Sequence, residues 1–347
     1  MNSYDRIMSA LKGDKAELDY IPCINPASSG TLELMEQFDV WWPDVHRNPE
    51  KMAKLGSAAH RVCGLEMITI PFDMVVEAEV FGVSIDYHED KGKSKYDFWP
   101  SRRKPLSKLI VPLIVPDNIQ NQGRVNVIVK AIKLLKEEFG GKVPINVQII
   151  PPFTSLSYYI LDTVSFFLSL VRKPDEVKTV LEEALPVYLE LSKIYSEAGA
   201  DIITLHDMGA HAKMINEIQF EQLVKPYLKR MTESLETTIL NICGPTIPFL
   251  KKMVECGATA ITIDETNPMR DARSIVDKIK PGYSIIGNLS PRDLLAEGTP
   301  EQINESVKNL IREGVSLVAP GCDLLLETPT ENVCTMVEAT RKNGKIR

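Results

Sequence analysis

No basic stripe runs along this chain. Its 40 Lys and Arg are outnumbered by 47 Asp and Glu, the two signs are interspersed, and the formal net charge is −7. Binding a polyanion takes concentrated positive charge, so neither nucleic acid nor an anionic membrane is an expected partner. Long apolar runs are missing too, and with them any membrane-spanning segment. The opening Met1-Asn-Ser-Tyr-Asp-Arg lacks the basic, apolar and small-residue layout of a signal peptide, so a cytoplasmic protein is expected. Cysteine is sparse. The six cysteines (Cys23, Cys63, Cys243, Cys256, Cys322, Cys334) are scattered, unlike the framework of a small secreted domain. In a reducing compartment each is either a small core residue or a thiolate with a chemical task, and Cys256 and Cys334, inside helical patterns, read as core. Gly/Ser-rich linkers and low-complexity tracts are absent as well.

What is present is a rhythm. With 44% apolar residues over 347, the chain can bury a large core. Short apolar runs alternate with amphipathic stretches from end to end, the pattern of repeated β-α units. Eight runs lie near Tyr20 to Asn25, Met67 to Phe72, Asn146 to Ile150, Ile202 to Leu205, Thr238 to Ile242, Ala260 to Ile263, Ser284 to Ile286 and Ser316 to Ala319. Helical patterns separate them; Pro174 to Ala198 is one, ended by Gly199. Eight repeats predict a single α/β domain over 1–347, a closed (β/α)8 TIM barrel. The region 78–105 breaks the rhythm: Val83-Ser-Ile-Asp-Tyr alternates like an antiparallel strand and Lys91-Gly-Lys looks like its turn. It reads as a hairpin insertion after the second strand, over the active face.

Residues with chemical capability fall just after the runs, where a barrel gathers its active site. Asn25 and Asp73 follow the first two, Gln148 lies in the third, and His206 and Asp207 close the fourth. Asn241 and Cys243 end the fifth, Asp264 and Glu265 the sixth, Asn288 the seventh and Cys322 the eighth. Polar residues also collect at strand ends as caps and turns, which accounts for single members of this series better than for its regularity. Asn241 and Cys243 are two apart and so point the same way from an extended strand. If the fifth and eighth runs belong to one parallel barrel, Cys243 and Cys322 emerge at one rim, where a soft metal such as zinc can be held between them. Phe72, Phe153 and Tyr158, with Tyr159 and Trp99, can line a pocket for a flat or apolar substrate, although core packing accounts for aromatics equally well. Trp41-Trp42-Pro can serve a partner surface or the core.

Five pieces carry a family resemblance: Ile70-Pro-Phe-Asp-Met-Val-Val-Glu-Ala-Glu, Pro151-Pro-Phe-Thr-Ser-Leu-Ser-Tyr, Ile242-Cys-Gly, Ile261-Thr-Ile-Asp-Glu and Ala319-Pro-Gly-Cys. In that order they resemble the uroporphyrinogen decarboxylase superfamily, and within it the corrinoid-dependent methyltransferases of the methylcobamide:coenzyme M type. The resemblance implies a barrel that binds zinc through a His-x-Cys motif and a later cysteine. The cysteines fall on Cys243 and Cys322, but the histidine falls on Asn241, whose amide is a far poorer zinc ligand. His206 is the expected replacement, ahead of His211, Asp207, Glu79 and Glu265.

The implied activity is methyl transfer between a small donor or acceptor and the cobalt of a corrinoid on a separate protein, since no Asp-x-His-x-x-Gly cobalamin signature is present. Transfer to a thiol and demethylation of a compound such as a methoxylated aromatic both stay open. Expected metal ligands are Cys243, Cys322 and His206. Expected catalytic residues are Asn241, Asp207 and Glu265, and expected substrate contacts Phe72, Asp73, Glu79, Phe153, Tyr158 and Asn288. A decarboxylase is the alternative, but its polycarboxylate substrate calls for arginines near the first strand, and none occurs between Arg6 and Arg47. A barrel that only binds a corrinoid or a partner is a third reading, favoured by Asn241 alone, and a homo-oligomer is compatible with all three.

Overall fold

In the computed structural model, residues 1–14, 16, 18–89, 99–108 and 112–346 are described. Seven strands form one parallel sheet in chain order: β1 (Ile68–Ile70), β2 (Ile145–Ile149), β3 (Ile202–His206), β4 (Thr238–Asn241), β5 (Ala260–Thr262), β6 (Ser284–Leu289) and β7 (Leu317–Pro320). Every strand run expected from sequence except the first appears here as a strand. Parallel neighbours require a crossover between strands, and helices such as Val125–Phe139, Pro174–Ala198 and Pro300–Arg312 supply it. The result is a curled sheet of the TIM-barrel type, with all strand C-termini at one rim.

The run at Tyr20 to Asn25 is not a strand, and the reason is proline. Pro22 and Pro26 cannot donate to a ladder, so this segment makes single bridges only. Ile24 N donates to Val318 O at 2.9 Å and Val318 N to Pro22 O at 3.0 Å; on the other side Glu66 N donates to Cys23 O at 3.0 Å. The segment thus fills the eighth position, a thin seam between β7 and β1.

Inside the ring the period-2 alternation produces layers. Ile202, Ile239, Ala260, Ile286 and Leu317 form an apolar floor against which the helix Ser3–Leu11 buries Ile7, Ala10 and Leu11. Two residues further along the strands comes a polar belt. Thr204 Oγ1 donates to Asn146 Oδ1 at 2.7 Å, and Asn146 Nδ2 reaches Pro26 O at 2.9 Å and Thr69 Oγ1 at 3.1 Å. The next inward positions, Gln148, His206 and Asn241, stand at the mouth. Outside the ring the larger core packs strand faces against helices.

In the expected insertion, Val76–Val80 is helical, so residues 78–80 belong to that helix rather than to a hairpin. Ile85–Asp86 pairs antiparallel with Ser101–Arg102, while the expected turn at Lys91 lies outside the described residues. Cys334 also departs from its reading as a partnerless core thiol. It forms a disulfide with Cys63, 271 residues away, with Cα atoms 4.4 Å apart, linking the helices Ala58–Cys63 and Thr330–Asn343. Among the described residues, no helix is long and apolar enough to cross a membrane.

Candidate active site

β3 and β4 are paired so that His206 sits opposite Asn241. That register puts a buried imidazole beside the chain as it leaves β4 toward Cys243. His206 Nε2 lies 3.5 Å from Cys243 Sγ and 3.9 Å from Cys322 Sγ. The three ligand atoms all fall within 4.8 Å of one another. The two sulfurs are bonded as a disulfide, with Cα atoms 6.0 Å apart. In a tetrahedral zinc site, bond lengths near 2.0 and 2.3 Å put a ligating nitrogen and sulfur about 3.6 Å apart, which matches the imidazole's reach. One nitrogen and two sulfurs therefore fit zinc once the sulfur–sulfur bond is reduced.

The imidazole is oriented from behind. Gln148 Nε2 donates to Pro71 O at 2.7 Å, which turns Oε1 toward His206 Nδ1 at 3.3 Å. The proton accordingly sits on Nδ1, leaving the Nε2 lone pair directed at the sulfurs. Burial pushes the His206 pKa down, against an upward pull from Asp323, so the ring is held neutral as a ligand must be.

Asn241 stands next to this centre without completing it. Its Oδ1 accepts from Thr262 Oγ1 at 2.5 Å and lies 4.0 Å from Cys243 Sγ. After Cys243 the chain turns at Gly244, whose φ is 101° and whose missing Cβ would lie 2.7 Å from the His211 ring. Only glycine suits both the left-handed backbone and the close approach. Asp264 secures the turn by accepting from Gly244 N and from Asn267 Nδ2 at 2.8 Å.

A cavity of about 610 Å³ opens over Cys322 and Asp323, walled by Trp99, Tyr158, Tyr159, Glu265 and Leu324 with Arg102 and Arg292 among its polar groups. Tyr158 and Tyr159 come from a π-helical turn, Ser155–Ile160, and the Tyr159 hydroxyl lies 3.2 Å from Met74 Sδ. Burial raises the Glu265 carboxyl pKa. Asp323 is a site residue that sequence reasoning missed. Its Oδ1 accepts from Ser28 N at 2.7 Å, Oδ2 is 3.9 Å from Cys322 Sγ, and desolvation raises its pKa. The available signal was its position next to Cys322.

Of the residues expected at the site, the structure brings together Cys243, Cys322, His206 and Asn241, with Glu265 and Tyr158 on the cavity wall. The others are engaged elsewhere. Asp207 is not in the group with the sulfurs; it accepts from Thr154 N at 3.2 Å and from Thr154 Oγ1, and burial raises its pKa to about 6. Asp73 is gripped through both oxygens by Arg124 and lies 2.9 Å from His46 Nδ1. Glu79 takes Arg124 Nε at 2.7 Å and the Tyr87 hydroxyl. Asn288 Nδ2 is spent on Asn267 O at 2.7 Å and Asp264 O at 3.0 Å. Phe72 is buried near His46, and Phe153 packs edge-on against Phe166 with centroids 5.7 Å apart.

The family profile described as uroporphyrinogen decarboxylase matches residues 2–343. The chain belongs to the uroporphyrinogen decarboxylase family. Within the family it groups with methyltransferases. It is 32% identical to methylcobamide:CoM methyltransferase MtbA of Methanosarcina mazei, with 97% of each chain covered. Against the uroporphyrinogen decarboxylase of Myxococcus xanthus, identity is 25% over 87% of this chain and 85% of that one. A solved methyltransferase structure from Methanosarcina mazei superimposes with a TM-score of 0.91 at 29% identity, covering 99% of both chains.

Proposed function

We propose that this chain transfers a methyl group from the cobalt of a corrinoid, carried on a separate protein, to a small thiol, with zinc held by Cys243, Cys322 and His206. The observation that carries the reading is the convergence of one buried imidazole nitrogen and two partly buried cysteine sulfurs at a rim that opens, at Cys322, into a cavity. The similarity to MtbA, a methylcobamide:CoM methyltransferase, supports the same chemistry. Zinc supplies one thing when bound: it keeps an acceptor thiol deprotonated at neutral pH, as displacement of a methyl group from cobalt requires.

The chain's own residues do the rest. Gln148 sets the His206 tautomer, so that the imidazole is a fixed donor and not a proton acceptor in competition with the substrate. Asn241 fills the space beside Cys243 with an amide anchored on Thr262. Asp207 works at one remove, since its hydrogen bonds to Thr154 fix the chain just beyond β3. Glu265 and Tyr158 line the approach, and the apolar wall of Trp99, Tyr159 and Leu324 keeps water from the incoming sulfur. The acceptor thiol releases its proton to solvent, its sulfur forms a bond to the methyl carbon, and the electron pair of the broken cobalt–carbon bond stays with the corrinoid. A cytoplasmic setting, where thiols remain reduced, suits a centre built on two cysteines.

The test is turnover of reduced, zinc-loaded protein with methylcobalamin and a panel of small thiols, read by loss of the cobalt–carbon absorbance and by the methyl thioether formed. No thioether with any thiol, together with methylation of reduced corrinoid by a methoxylated aromatic, would reverse the direction of transfer.

A further inference from the structure

The second cysteine pair has no place in the chemistry above. Cys63 ends the helix Ala58–Cys63 just ahead of β1, and Cys334 lies in the helix Thr330–Asn343 that follows β7. These are the two helices that flank the seam. Between β1 and β7 the ring is closed by the bridges of Pro22 to Asn25 rather than by a strand ladder, so this is where the barrel has least backbone hydrogen bonding. The two helices also pack apolar residues, Ala59 and Cys63 on one and Val333 and Val337 on the other, into the same core, and polar links join them as well: Arg341 Nη2 donates to Gly64 O at 2.8 Å, and Cys63 Sγ lies 3.5 Å from Thr330 O. Among the described residues, the pair is joined by no third cysteine, histidine or carboxylate at metal-binding range. Its available chemistry is therefore covalent.

We infer that Cys63 and Cys334 form a reversible thiol–disulfide staple that locks the barrel seam under oxidising conditions and releases it under reducing ones. Cys334 is partly exposed while Cys63 is buried, which fixes the order of events. The Cys334 thiolate attacks one sulfur of a small disulfide such as oxidised glutathione and expels one glutathione thiolate. The Cys63 thiolate then attacks the Cys334 sulfur of the mixed disulfide and expels the second. The two protons lost by the protein thiols end on the two expelled thiolates, so one disulfide is exchanged for another. The bond closes a loop of 271 residues, nearly the whole ring, and a cross-link over so long a loop restricts the unfolded chain strongly.

The experiment uses the full chain, incubated with oxidised or reduced glutathione, then mapped by non-reducing peptide mass analysis and melted. A Cys63–Cys334 linked peptide is expected in the oxidised sample, with a melting point roughly 5 °C above the reduced one. The rise should vanish in Cys334→Ser and in Cys63→Ala and persist in Cys322→Ser, which separates the staple from the other cysteine pair. The reduced forms of all variants should melt close to reduced wild type, showing that folding survives the substitutions. The inference is overturned if Cys243–Cys322 oxidises while Cys63 and Cys334 stay free, or if the linked peptide forms and Cys334→Ser keeps the full rise.

Discussion

Two cysteine pairs in one barrel share a bond type and differ in everything around it. Cys243 and Cys322 leave β4 and β7 at the mouth, with the His206 imidazole within 4 Å of both sulfurs and a cavity above. Cys63 and Cys334 sit between two outer helices, without a third ligand among the described residues. What sets the proposed metal site apart from the cross-link is therefore the company its thiols keep: a neutral, oriented nitrogen donor and room for a substrate.

Substitutions can break this contrast. The largest expected effect is at the mouth, where Cys243→Ser or Cys322→Ser should lower methyl transfer at least ~100-fold and lower bound zinc in parallel, with circular dichroism unchanged. Zinc retained at wild-type stoichiometry would remove the metal reading. Next is pH. Glu77, buried, accepts Ile150 N at 3.1 Å just beyond β2, its other oxygen has no hydrogen-bond partner, and burial raises its pKa to about 7. The folded state then favours the protonated acid. Its stabilising effect is complete below the usual glutamate range and fades as pH rises toward 7, a loss of about 3 kcal/mol. Glu77→Gln should flatten that slope and stabilise the protein at pH 8, as denaturant melts across pH 4–8 can check.

Metal affinity sharpens the comparison further. His206→Ala should weaken zinc binding roughly 10- to 100-fold, and His211→Ala much less, by competition with a chelating dye. If His206→Ala binds zinc fully while Glu79→Gln or Glu265→Gln does not, the site is sulfur plus carboxylate and suits a Lewis-acid role toward a methyl donor. Asn241→His should tighten binding by about tenfold at most, since Asn241 already touches the site and His206 already occupies the nitrogen position. The smallest effect belongs to the seam: Cys63→Ser should leave turnover within about twofold of wild type, consistent with a bond remote from the mouth.

Much of the mouth was legible in the sequence because it follows local rules. Alternation along β3 and β4, and the ends of apolar runs, were enough to bring His206, Asn241, Cys243 and Cys322 to one place. Contacts distant in sequence were not legible. Asp73 and Glu79 are expected substrate contacts on sequence, and what the sequence hides is Arg124, about 50 residues on, which pairs with both. Cys334 reads as a core thiol for the same reason, with 271 residues between it and Cys63. The missing first strand was visible in principle, because Pro22 lies within the run and Pro26 follows it, but the run's apolar character outweighed its prolines.

The threonine–asparagine belt across the barrel interior has a consequence of its own. It divides the ring into a foundation and a workshop. Below Thr69, Asn146 and Thr204, side chains exist to fill space; above them, side chains stand on a floor that is already bonded to itself. A substitution at the rim, such as one at Asn241, whose amide rests on Thr262, leaves that floor untouched. Such a partition lets a lineage trade one reactive group for another while the scaffold beneath keeps its shape.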